Sequence, residues 1–352
     1  TQNRFVYSIL ELSYKLTDPI LNKIRRFLPN LGSLDISPII LLLLIWFVEM
    51  CMKLYIAPMI FWGFMILIDG KKIAAELRQE LKKEVSDLKA EFNKVPGLTV
   101  ILIGDLTPSQ IYVRNKEKSA KEVGLKSDVI KYPDNVEEKV ILDKIQELNL
   151  DKTVSGILVQ LPLPKHIDTQ KVLMSVDPKK DVDGFHPTNF GKMALKLPTF
   201  ISATPNGIME LLNRYKVSTE GKHTVVIGRS DIVGKPISIL MGLKTNPGNS
   251  TVTLAHSRTN NIEDLIKQAD IVISALGVPN FIKDYMIKDG AIIIDVGITR
   301  VPDDSVKGYK IVGDVDFENV SKKSSFITPV PGGVGPMTIA MLLKNTLLAY
   351  KG

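Results

Sequence analysis

Four apolar runs rich in β-branched residues recur between residues 223 and 297, and a segment long enough for a helix separates each run from the next. The runs are HTVVIG, STVTLAHS, ADIVISALG and AIIIDVG. Two earlier runs, LTVILIG at residues 98–104 and SGILVQLPLP at residues 155–164, have the same apolar character, and Gly124 ends the helical segment after the first of them. Strands that are buried on both faces and joined by helices form parallel sheets. The alternation predicts an α/β protein.

Two α/β domains are expected, and they meet near residues 200–205. The first domain covers residues 65–204 and is completed by a C-terminal helix at residues 334–352. The second is a Rossmann-like domain at residues 205–333. Close to the junction, the sequence TPNGIMELLNRY predicts a helix with Thr204 as its N-cap.

Composition restricts the class of ligand. The chain has 352 residues, of which 45% are hydrophobic and 24% charged, so it can bury sizeable cores. The net charge of +7 suits anionic small ligands, and no Lys/Arg tract with interleaved aromatic residues indicates nucleic acid. The single cysteine, Cys51, excludes an internal disulfide and a multi-cysteine zinc site, and the four histidines have no metal-ligand spacing. No nucleic-acid partner and no metal are expected.

An apolar helical segment is expected to precede the α/β domains, within residues 1–64. Only Glu49 and Lys53 are charged in residues 36–64, and at four residues apart they can form a pair that lowers the cost of burying both. A membrane helix needs roughly 20 apolar residues, so the segment suffices for one span or for two short interfacial pieces. A buried core helix is the alternative, but the run SPIILLLLIWF is too continuous for one. Membrane contact is therefore expected through residues 36–64 only.

The stretch LTDPILNKIRRFLPNLGSLDISPIILLLL, residues 16–44, resembles the C-terminal half of the YggT family of small bacterial membrane proteins. A single span here would export the α/β domains, whereas basic residues flank the segment on both sides. The sequence from Met65, MILIDGKKIAAELRQEL, reads as an N-terminus of its own. A gene fusion or a start assigned too far upstream is the expected explanation, with a cytoplasmic location for the α/β domains.

A βα turn in the second domain has the position, but not the residues, of a dinucleotide-binding loop. The strand at residues 224–227 leads into Gly228, and a helix is predicted from about Gly234. Ser230 and Val233 occupy the places of the second and third glycines of G-x-G-x-x-G. The helix N-terminus offers free N–H groups to a phosphate, and the Ser230 hydroxyl is expected to add a donor. An ordinary βα turn is the alternative.

The end of the following strand bears on the choice of nucleotide. An NAD site places an Asp or Glu there for the ribose 2′-hydroxyl. STVTLAHSRT ends instead in His256, Ser257 and Arg258, without an acid. Arg258, Ser257 and Arg229 would attract a 2′-phosphate, so NADP is expected rather than NAD. His256 is expected to be a structural residue at the strand end.

A set of polar residues recurs at strand ends and on one helix of the first domain. Tyr112 and Lys116 lie one helical turn apart, a pair that by itself is usually a solvated face. Gln160 stands in an apolar strand end and needs a partner if it is buried. Asp183 follows in DVDGFHP, and TPVPGGVGPMT at residues 328–338 brings main chain close to a ligand or forms a plain Gly-Pro turn.

Five motifs occur in order along residues 65–352. They are SxxYVxxK (109–116), VQLPLP (159–164), DVDGFHPxNxG (181–191), GRSxIVGKP (228–236) and PVPGGVGPMT (329–338). Together they resemble the bifunctional 5,10-methylenetetrahydrofolate dehydrogenase/5,10-methenyltetrahydrofolate cyclohydrolase family. The resemblance implies an enzyme that oxidises the methylene bridge with NADP⁺, hydrolyses the methenyl product to 10-formyltetrahydrofolate, and forms a homodimer.

The resemblance also implies roles for individual residues. Lys116 would move the proton during hydrolysis, with Tyr112 orienting it and stacking on the folate, and Gln160 steadying its neutral form. Asp183 would accept from the pterin amino group, and Asp181 would be structural. The expected substrate-binding residues are Ser109, Tyr112, Lys116, Val159, Gln160, Leu161, Asp183, Pro331, Gly332, Gly333 and Gly335. The expected cofactor-binding residues are Gly228, Arg229, Ser230, Ser257, Arg258 and Ile298.

Two other functions are compatible with parts of the pattern. One is a monofunctional dehydrogenase that has lost the hydrolytic step, and the other is a membrane-tethered protein that only binds folate or a nucleotide. The complete set of Tyr112, Lys116 and Gln160 argues against both.

Overall fold

The computed structural model describes residues 15, 17–26, 35–52, 65–304 and 308–352. The chain divides into two units, Thr1–Phe64 and Met65–Gly352. The second unit contains the strands β1 Ile66–Leu67, β2 Gly97–Ile103, β3 Lys126–Tyr132, β4 Gly156–Val159, β5 His223–Ile227, β6 Thr251–Ala255, β7 Ile271–Ser274, β8 Ala291–Asp295, β9 Thr299–Pro302, β10 Tyr309–Val312 and β11 Ser324–Ile327.

The helices complete the alternation that the sequence predicts. The first unit has α1 Ser37–Cys51. The second has α2 Gly70–Phe92, α3 Thr107–Glu122, α4 Glu138–Leu150, α5 Thr169–Ser175, α6 Pro187–Ala194, α7 Ala203–Arg214, α8 Gly234–Gly242, α9 Ile262–Gln268, α10 Phe317–Val320 and α11 Val334–Lys351.

In the first unit, α1 is apolar except for Ser37 at its start and Glu49 near its end. Leu42, Trp46 and Phe47 are each more than half exposed, and Ser37 is the helix residue that is buried. The Asp35 carboxylate accepts hydrogen bonds from both the N–H and the hydroxyl of Ser37 at the start of the helix. In the described residues of the chain, no helix is both long and apolar enough to cross a membrane. Residues 53–64, part of the predicted membrane segment, lie outside the described residues.

Two parallel sheets organise the second unit. β3, β2 and β4 form a three-stranded sheet in that order. The larger sheet has six parallel strands in the order β1-β11-β8-β7-β5-β6. β2 is buried along its whole length, as its apolar sequence predicts. The α/β fold with a Rossmann-like second sheet is thus as the alternation of apolar runs predicts.

Strand β1 joins the larger sheet although it opens the first domain. Ile66 and Leu67 pair in parallel with Phe326 and Ile327 of β11, and α2 then leads the chain to the smaller sheet. The C-terminal helix α11 packs on α2 and α7 in return. The chain thus passes between the two sheets after β1 and again near residues 200–205. The C-terminal helix α11 connects the helices that follow these two passages.

Helix α7 begins earlier than predicted. Its N-cap is Ser202, so Thr204 lies inside the first turn and the N-cap prediction is wrong. The Thr204 hydroxyl instead hydrogen-bonds that of Thr338 on α11 at 2.9 Å. A tertiary partner for the hydroxyl thus replaces the local bond that a sequence pattern anticipates.

Candidate active site and cofactor loop

Lys116 is a buried lysine on α3. The helix begins at Thr107 directly after β2, with Pro108 in its first turn, and it turns Ser109, Val113 and Lys116 toward the interior. Only 7% of Lys116 is exposed. Burial lowers the pKa of its ammonium group, and the negative charge of Asp183 opposes that shift. Lys116 is therefore held closer to its neutral form than a surface lysine.

Gln160 orients the Lys116 amine. It follows the last residue of β4, where its Nε2 donates to the Leu161 carbonyl at 2.7 Å. That bond leaves Oε1 to accept from Lys116 Nζ at 3.1 Å. A neutral amine can donate to this oxygen and still keep a lone pair for another proton. The predicted contact between these two residues is present.

The two aspartates of the DVDG turn have different surroundings. The Asp181 carboxylate accepts from the backbone N–H groups of Phe185 and His186 and from Nδ2 of Asn189, all within the next eight residues of the chain. Asp183 is also buried, yet within the described residues no hydrogen bond engages its carboxylate. Burial raises the pKa of Asp183, while Lys116 acts to lower it. The Asp183 carboxylate is thus available to a ligand.

Tyr112 lies near Lys116 along α3 but is not joined to it. It is 42% exposed, and among the residues that the structure describes it forms no hydrogen bond. The expected orienting bond from Tyr112 to Lys116 is therefore absent from this structure. Its exposed ring is free to stack on a ligand.

The turn at residues 331–335 is anchored by α2. The Gly332 carbonyl accepts from the N–H of Lys71, and a Cβ at Gly70 would lie only 1.8 Å from the Gly333 oxygen. Helix α11 starts at Val334 and packs against α3 and β4. The helix that follows this turn therefore packs against the Lys116 helix and against β4, whose last residue is Val159.

The cofactor loop turns tightly between β5 and α8. Gly228 has a φ of +113°, which favours glycine, and its N–H bonds the Ala255 carbonyl at the end of β6. A Cβ at Gly234 would lie 2.0 Å from the Gly228 carbonyl oxygen. Helix α8 begins at Gly234, as the sequence predicts. Both glycines are needed because strand end and helix start touch through their backbones.

Ser230 caps the start of α8. Its Oγ accepts from the N–H groups of Val233 and Gly234 at 3.2 and 3.3 Å. These bonds use its lone pairs, so the hydroxyl hydrogen stays available, and the residue is exposed. Ser230 is thus positioned to present a donor beside the helix N-terminus, where an anion is favoured.

Two exposed arginines and a serine lie at neighbouring strand ends. β5 and β6 pair in parallel up to Ile227 and Ala255, so Arg229 on one turn is beside Ser257 and Arg258 on the other. All three are exposed. His256 Nδ1 accepts from the Arg258 N–H, which makes His256 part of the turn, as expected.

Ile298 lies where the larger sheet approaches the 331–335 turn. It follows β8, is 48% exposed, and its Cδ1 is 3.5 Å from where a Cβ at Gly335 would be. The structure thus brings Lys116 together with Gln160 and Asp183. A second set of predicted residues lies at the ends of β5 and β6, and Ile298 lies beside the 331–335 turn.

Sequence reasoning missed several buried polar residues near these sets. Asp295 and Asp314 are buried at the ends of β8 and after β10, and Asn345 is buried on α11. The signal for the aspartates is a carboxylate at the end of an apolar run, in AIIID and VGDV. The local sequence around Asn345, in the mostly apolar helix α11, does not indicate the distant carbonyls to which its amide donates.

Two family models cover most of the second unit. Residues 68–183 match the tetrahydrofolate dehydrogenase/cyclohydrolase catalytic domain, and residues 202–352 match the NAD(P)-binding domain of the same family. The chain belongs to the tetrahydrofolate dehydrogenase/cyclohydrolase family. Residues 3–56 match the CCB3/YggT family model, in agreement with the resemblance seen in residues 16–44.

Relatives and solved structures agree with this assignment. The bifunctional protein FolD of Flavobacterium psychrophilum is 64% identical over 286 residues, which are 81% of this chain and 97% of that protein. The FolD dehydrogenase/cyclohydrolase structure from Campylobacter jejuni is 47% identical with a TM-score of 0.78, covering 82% of this chain and 99% of its own. The Trypanosoma brucei FolD structure, complexed with NADP cofactor and an inhibitor, is 40% identical with a TM-score of 0.78, covering 82% and 97%. The predicted family and fold are confirmed.

Proposed function

We propose that this chain oxidises 5,10-methylenetetrahydrofolate to the 5,10-methenyl form with NADP⁺ and then hydrolyses that product to 10-formyltetrahydrofolate. The observation that carries the proposal is the buried Lys116 amine, which Gln160 orients, near the buried carboxylate of Asp183. Membership of the family supplies the substrate class. The intact Lys116 and Gln160 pair favours the bifunctional enzyme over a monofunctional dehydrogenase.

The oxidation depends on positioning. Nicotinamide accepts a hydride when it is bound. The lone pair of the adjacent folate nitrogen stabilises the cation that forms, so the protein needs to supply little acid–base help. Its residues must hold the methylene carbon close to the acceptor and keep water away. The 331–335 turn, beside Ile298, is proposed to hold the folate against the cofactor domain.

The hydrolysis needs a proton acceptor. Water adds to the methenyl carbon, and we assign the removal of its proton to the neutral form of Lys116. The hydroxyl on the carbon then gives up its proton to form the carbonyl while the bond from carbon to N5 breaks and N5 takes up a proton, which leaves the formyl group on N10. A cationic substrate beside Lys116 lowers the pKa of the amine further, in the same direction as burial.

The other proposed roles follow from exposure and hydrogen bonding. Asp183 would accept from the pterin amino group, because no bond within the described residues engages it. The half-exposed ring of Tyr112 would stack on the folate, and Ser109, Val159, Leu161 and the 331–335 turn would line the site. Asp181 is used by its own loop and is assigned no contact with substrate.

NADP is the proposed cofactor because the end of β6 offers cations instead of a carboxylate. Arg229, Ser257 and Arg258 are exposed together at adjacent strand ends. The double variant Arg229→Ala, Arg258→Ala should raise KM for NADP⁺ on the order of 10²-fold and change KM for NAD⁺ little. Lys267→Ala is the control, since this exposed lysine lies in the last turn of α9, outside the motifs of the cofactor loop. Equal use of NAD⁺ and NADP⁺ by the parent chain would contradict the assignment.

The decisive experiment follows methenyl absorbance with the full chain. Methylenetetrahydrofolate plus NADP⁺ should give methenyl product, and methenyl substrate supplied without NADP⁺ should disappear by hydrolysis. Lys116→Met should retain oxidation and lose hydrolysis by at least about 10²-fold. Binding of folate or nucleotide without turnover would identify the protein as a binder, and oxidation without hydrolysis as a monofunctional dehydrogenase.

We propose that the chain forms a homodimer, as the family resemblance implies, and that the catalytic domains are cytoplasmic. Sedimentation of the full chain would test the homodimer. Contact of α1 with a lipid surface is supported by its exposed apolar side chains, among them Leu42 and Trp46.

A further inference from the structure

We propose that Asp314 is a positioning residue for hydride transfer, because it fixes the loop after β7 against which the nicotinamide half of NADP would lie. The inference rests on the proposed function. Asp314 is fully buried after β10, in none of the motifs that define the site. It contacts neither proposed substrate residue nor proposed cofactor residue by hydrogen bond, so its effect must pass through the loop.

Asp314 closes the turn at the end of β7. Its Oδ2 accepts from the Ser274 hydroxyl at 3.0 Å and from the Leu276 N–H at 2.7 Å. Its Oδ1 accepts from the Val278 N–H at 2.9 Å. Three donors from five consecutive residues therefore converge on one carboxylate. Such charge-assisted bonds are stronger than bonds between neutral groups, so the course of residues 274–278 depends on Asp314.

Asp295 fixes Asp314 in turn. The Asp295 carboxylate at the end of β8 accepts from the N–H groups of Asp314 and Val315 at 3.0 and 2.9 Å. It also accepts from the Gly297 N–H at 2.9 Å, directly before Ile298. The two carboxylates thus tie the ends of β7 and β8 to the segment after β10. A Cβ at Gly297 would lie 2.2 Å from Asp314 Oδ1, so a larger residue there would displace the carboxylate.

The order of the strands places the nicotinamide on this side. Arg258 and Ser257 at the end of β6 would take the adenosine 2′-phosphate, and the start of α8 after β5 would take the pyrophosphate. A dinucleotide extends across the point where strand order reverses. The remaining half of the cofactor must therefore lie over β7 and β8, which follow β5 on the other side. On this side of the sheet Ile298 lies beside the 331–335 turn, which is proposed to hold the folate. Hydride transfer from the folate to the nicotinamide would therefore take place at this position.

The two activities of one chain provide the test. Asp314→Asn keeps the volume of the side chain but replaces one acceptor oxygen by a donor facing donors. The dehydrogenase kcat should fall on the order of 10²-fold, as a misplaced reaction partner predicts. Hydrolysis of supplied methenyl substrate without NADP⁺ and the Kd of 2′,5′-ADP should both stay within about twofold, because neither needs the nicotinamide loop.

A matched control lies at the other end of β7. Asp270 immediately precedes this strand, at its amino end, where its carboxylate accepts from the His223 N–H and from Lys288. Asp270→Asn should leave both activities unchanged. Ser274→Ala removes one donor to Asp314 and keeps the carboxylate, so a smaller loss confined to oxidation is expected.

Unchanged oxidation in Asp314→Asn, or a parallel loss of oxidation, hydrolysis and 2′,5′-ADP binding in a folded variant, would overturn the proposal. If Asp314→Asn does not fold, Ser274→Ala decides, and full oxidation in that variant overturns it. Failure of the proposed function gives a different result, because the parent chain itself would then lack oxidation.

Discussion

At the scale of single residues, burial pushes Lys116 and Asp183 toward their neutral forms although their charges attract. Desolvation is the larger effect on both groups, lowering the pKa of Lys116 and raising that of Asp183. The charge of each group opposes the shift of the other, but their attraction does not offset the loss of water. A neutral amine at Lys116 is what the proposed hydrolytic step needs.

The pH profile of hydrolysis should show this lowered pKa. The rate is expected to rise with pH as Lys116 loses its proton, and to level off well below the 10.5 of an unperturbed lysine. The rate should rise rather than fall with pH because the neutral amine is the reactive form. Initial rates with supplied methenyl substrate, corrected for its spontaneous hydrolysis, would give the apparent pKa. A rate that falls as pH rises through this range would contradict the role.

Asn345 should affect folate binding from outside the site. Its Nδ2 donates to the carbonyls of Val182 at 2.8 Å and Ile201 at 3.0 Å, and so holds the residue before Asp183 against the domain junction. Asn345→Leu leaves both carbonyls without this donor. It is expected to lower the free energy of unfolding by about 1–3 kcal/mol and to raise KM for the folate substrate.

The neighbouring helix position supplies the control for Asn345. Thr346 is equally buried, but its hydroxyl donates to the Leu342 carbonyl within α11. Thr346→Val should cost about 1 kcal/mol in the free energy of unfolding and leave KM for folate unchanged. Chemical denaturation and steady-state kinetics on both variants measure the two quantities. An equal KM in the two variants would show that Asn345 only stabilises the helix.

Residues proposed to contact a ligand were easier to predict than residues that hold them in place. Gln160 stands out because an amide interrupts an apolar run, Lys116 was assigned through the resemblance of SxxYVxxK, and the structure joins the two side chains. Asn345 acts on carbonyls 144 and 163 residues away in sequence, and no local pattern encodes such a distance. The orienting role of Tyr112 came only from the family resemblance, and in the structure its exposed ring forms no hydrogen bond to Lys116.

At the scale of elements, the start of α8 should be intolerant of a single methyl group. Gly234→Ala would place Cβ against the Gly228 carbonyl and push the helix from the strand end. A loss of about 1–3 kcal/mol in the free energy of unfolding is expected, as for overpacked sites. Weaker NADP⁺ binding is expected too, since this turn is the proposed phosphate site.

The other end of the same helix is the matched comparison. A Cβ at Gly242 would meet only Val252 Cγ2, at 3.8 Å, an ordinary contact distance. Gly242→Ala should therefore leave NADP⁺ binding unchanged and raise stability by up to about 1 kcal/mol, because alanine favours helix. Thermal unfolding and NADP⁺ titration of both variants give the answer. Normal NADP⁺ affinity in Gly234→Ala would contradict the close contact.

Element prediction succeeded where a run was long and apolar. The four runs of the second domain became β5 to β8, since burial on both faces leaves a continuous apolar signal. It failed for β1, whose two residues carry no periodicity and gain their partner from β11 far along the chain. The start of α7 was also misplaced through a partner far along the chain. The Thr204 hydroxyl, expected to cap the helix, bonds Thr338 on another helix.

At the scale of the whole molecule, the chain combines an enzyme unit with an apolar N-terminal unit. Sequence composition separates residues 1–64 from the rest, and the fold divides into its two units at the same place. The 15 residues of α1 extend over roughly 22 Å, which is shorter than the hydrocarbon core of a bilayer at about 30 Å. Its exposed apolar side chains would nevertheless lose water on entering a lipid surface.

The full chain is therefore expected to sediment with lipid vesicles. Trp46 is 60% exposed on α1, so in a Trp62→Phe chain its fluorescence should shift to shorter wavelength when vesicles are added. The variant Leu42→Glu, Trp46→Glu keeps the chain length and should remain in the supernatant, because a charge at a bilayer is costly. Its kcat for oxidation and for hydrolysis should equal that of the parent, since α1 belongs to the other unit. A parent chain that stays in the supernatant would contradict lipid contact without affecting the assignment of the enzyme.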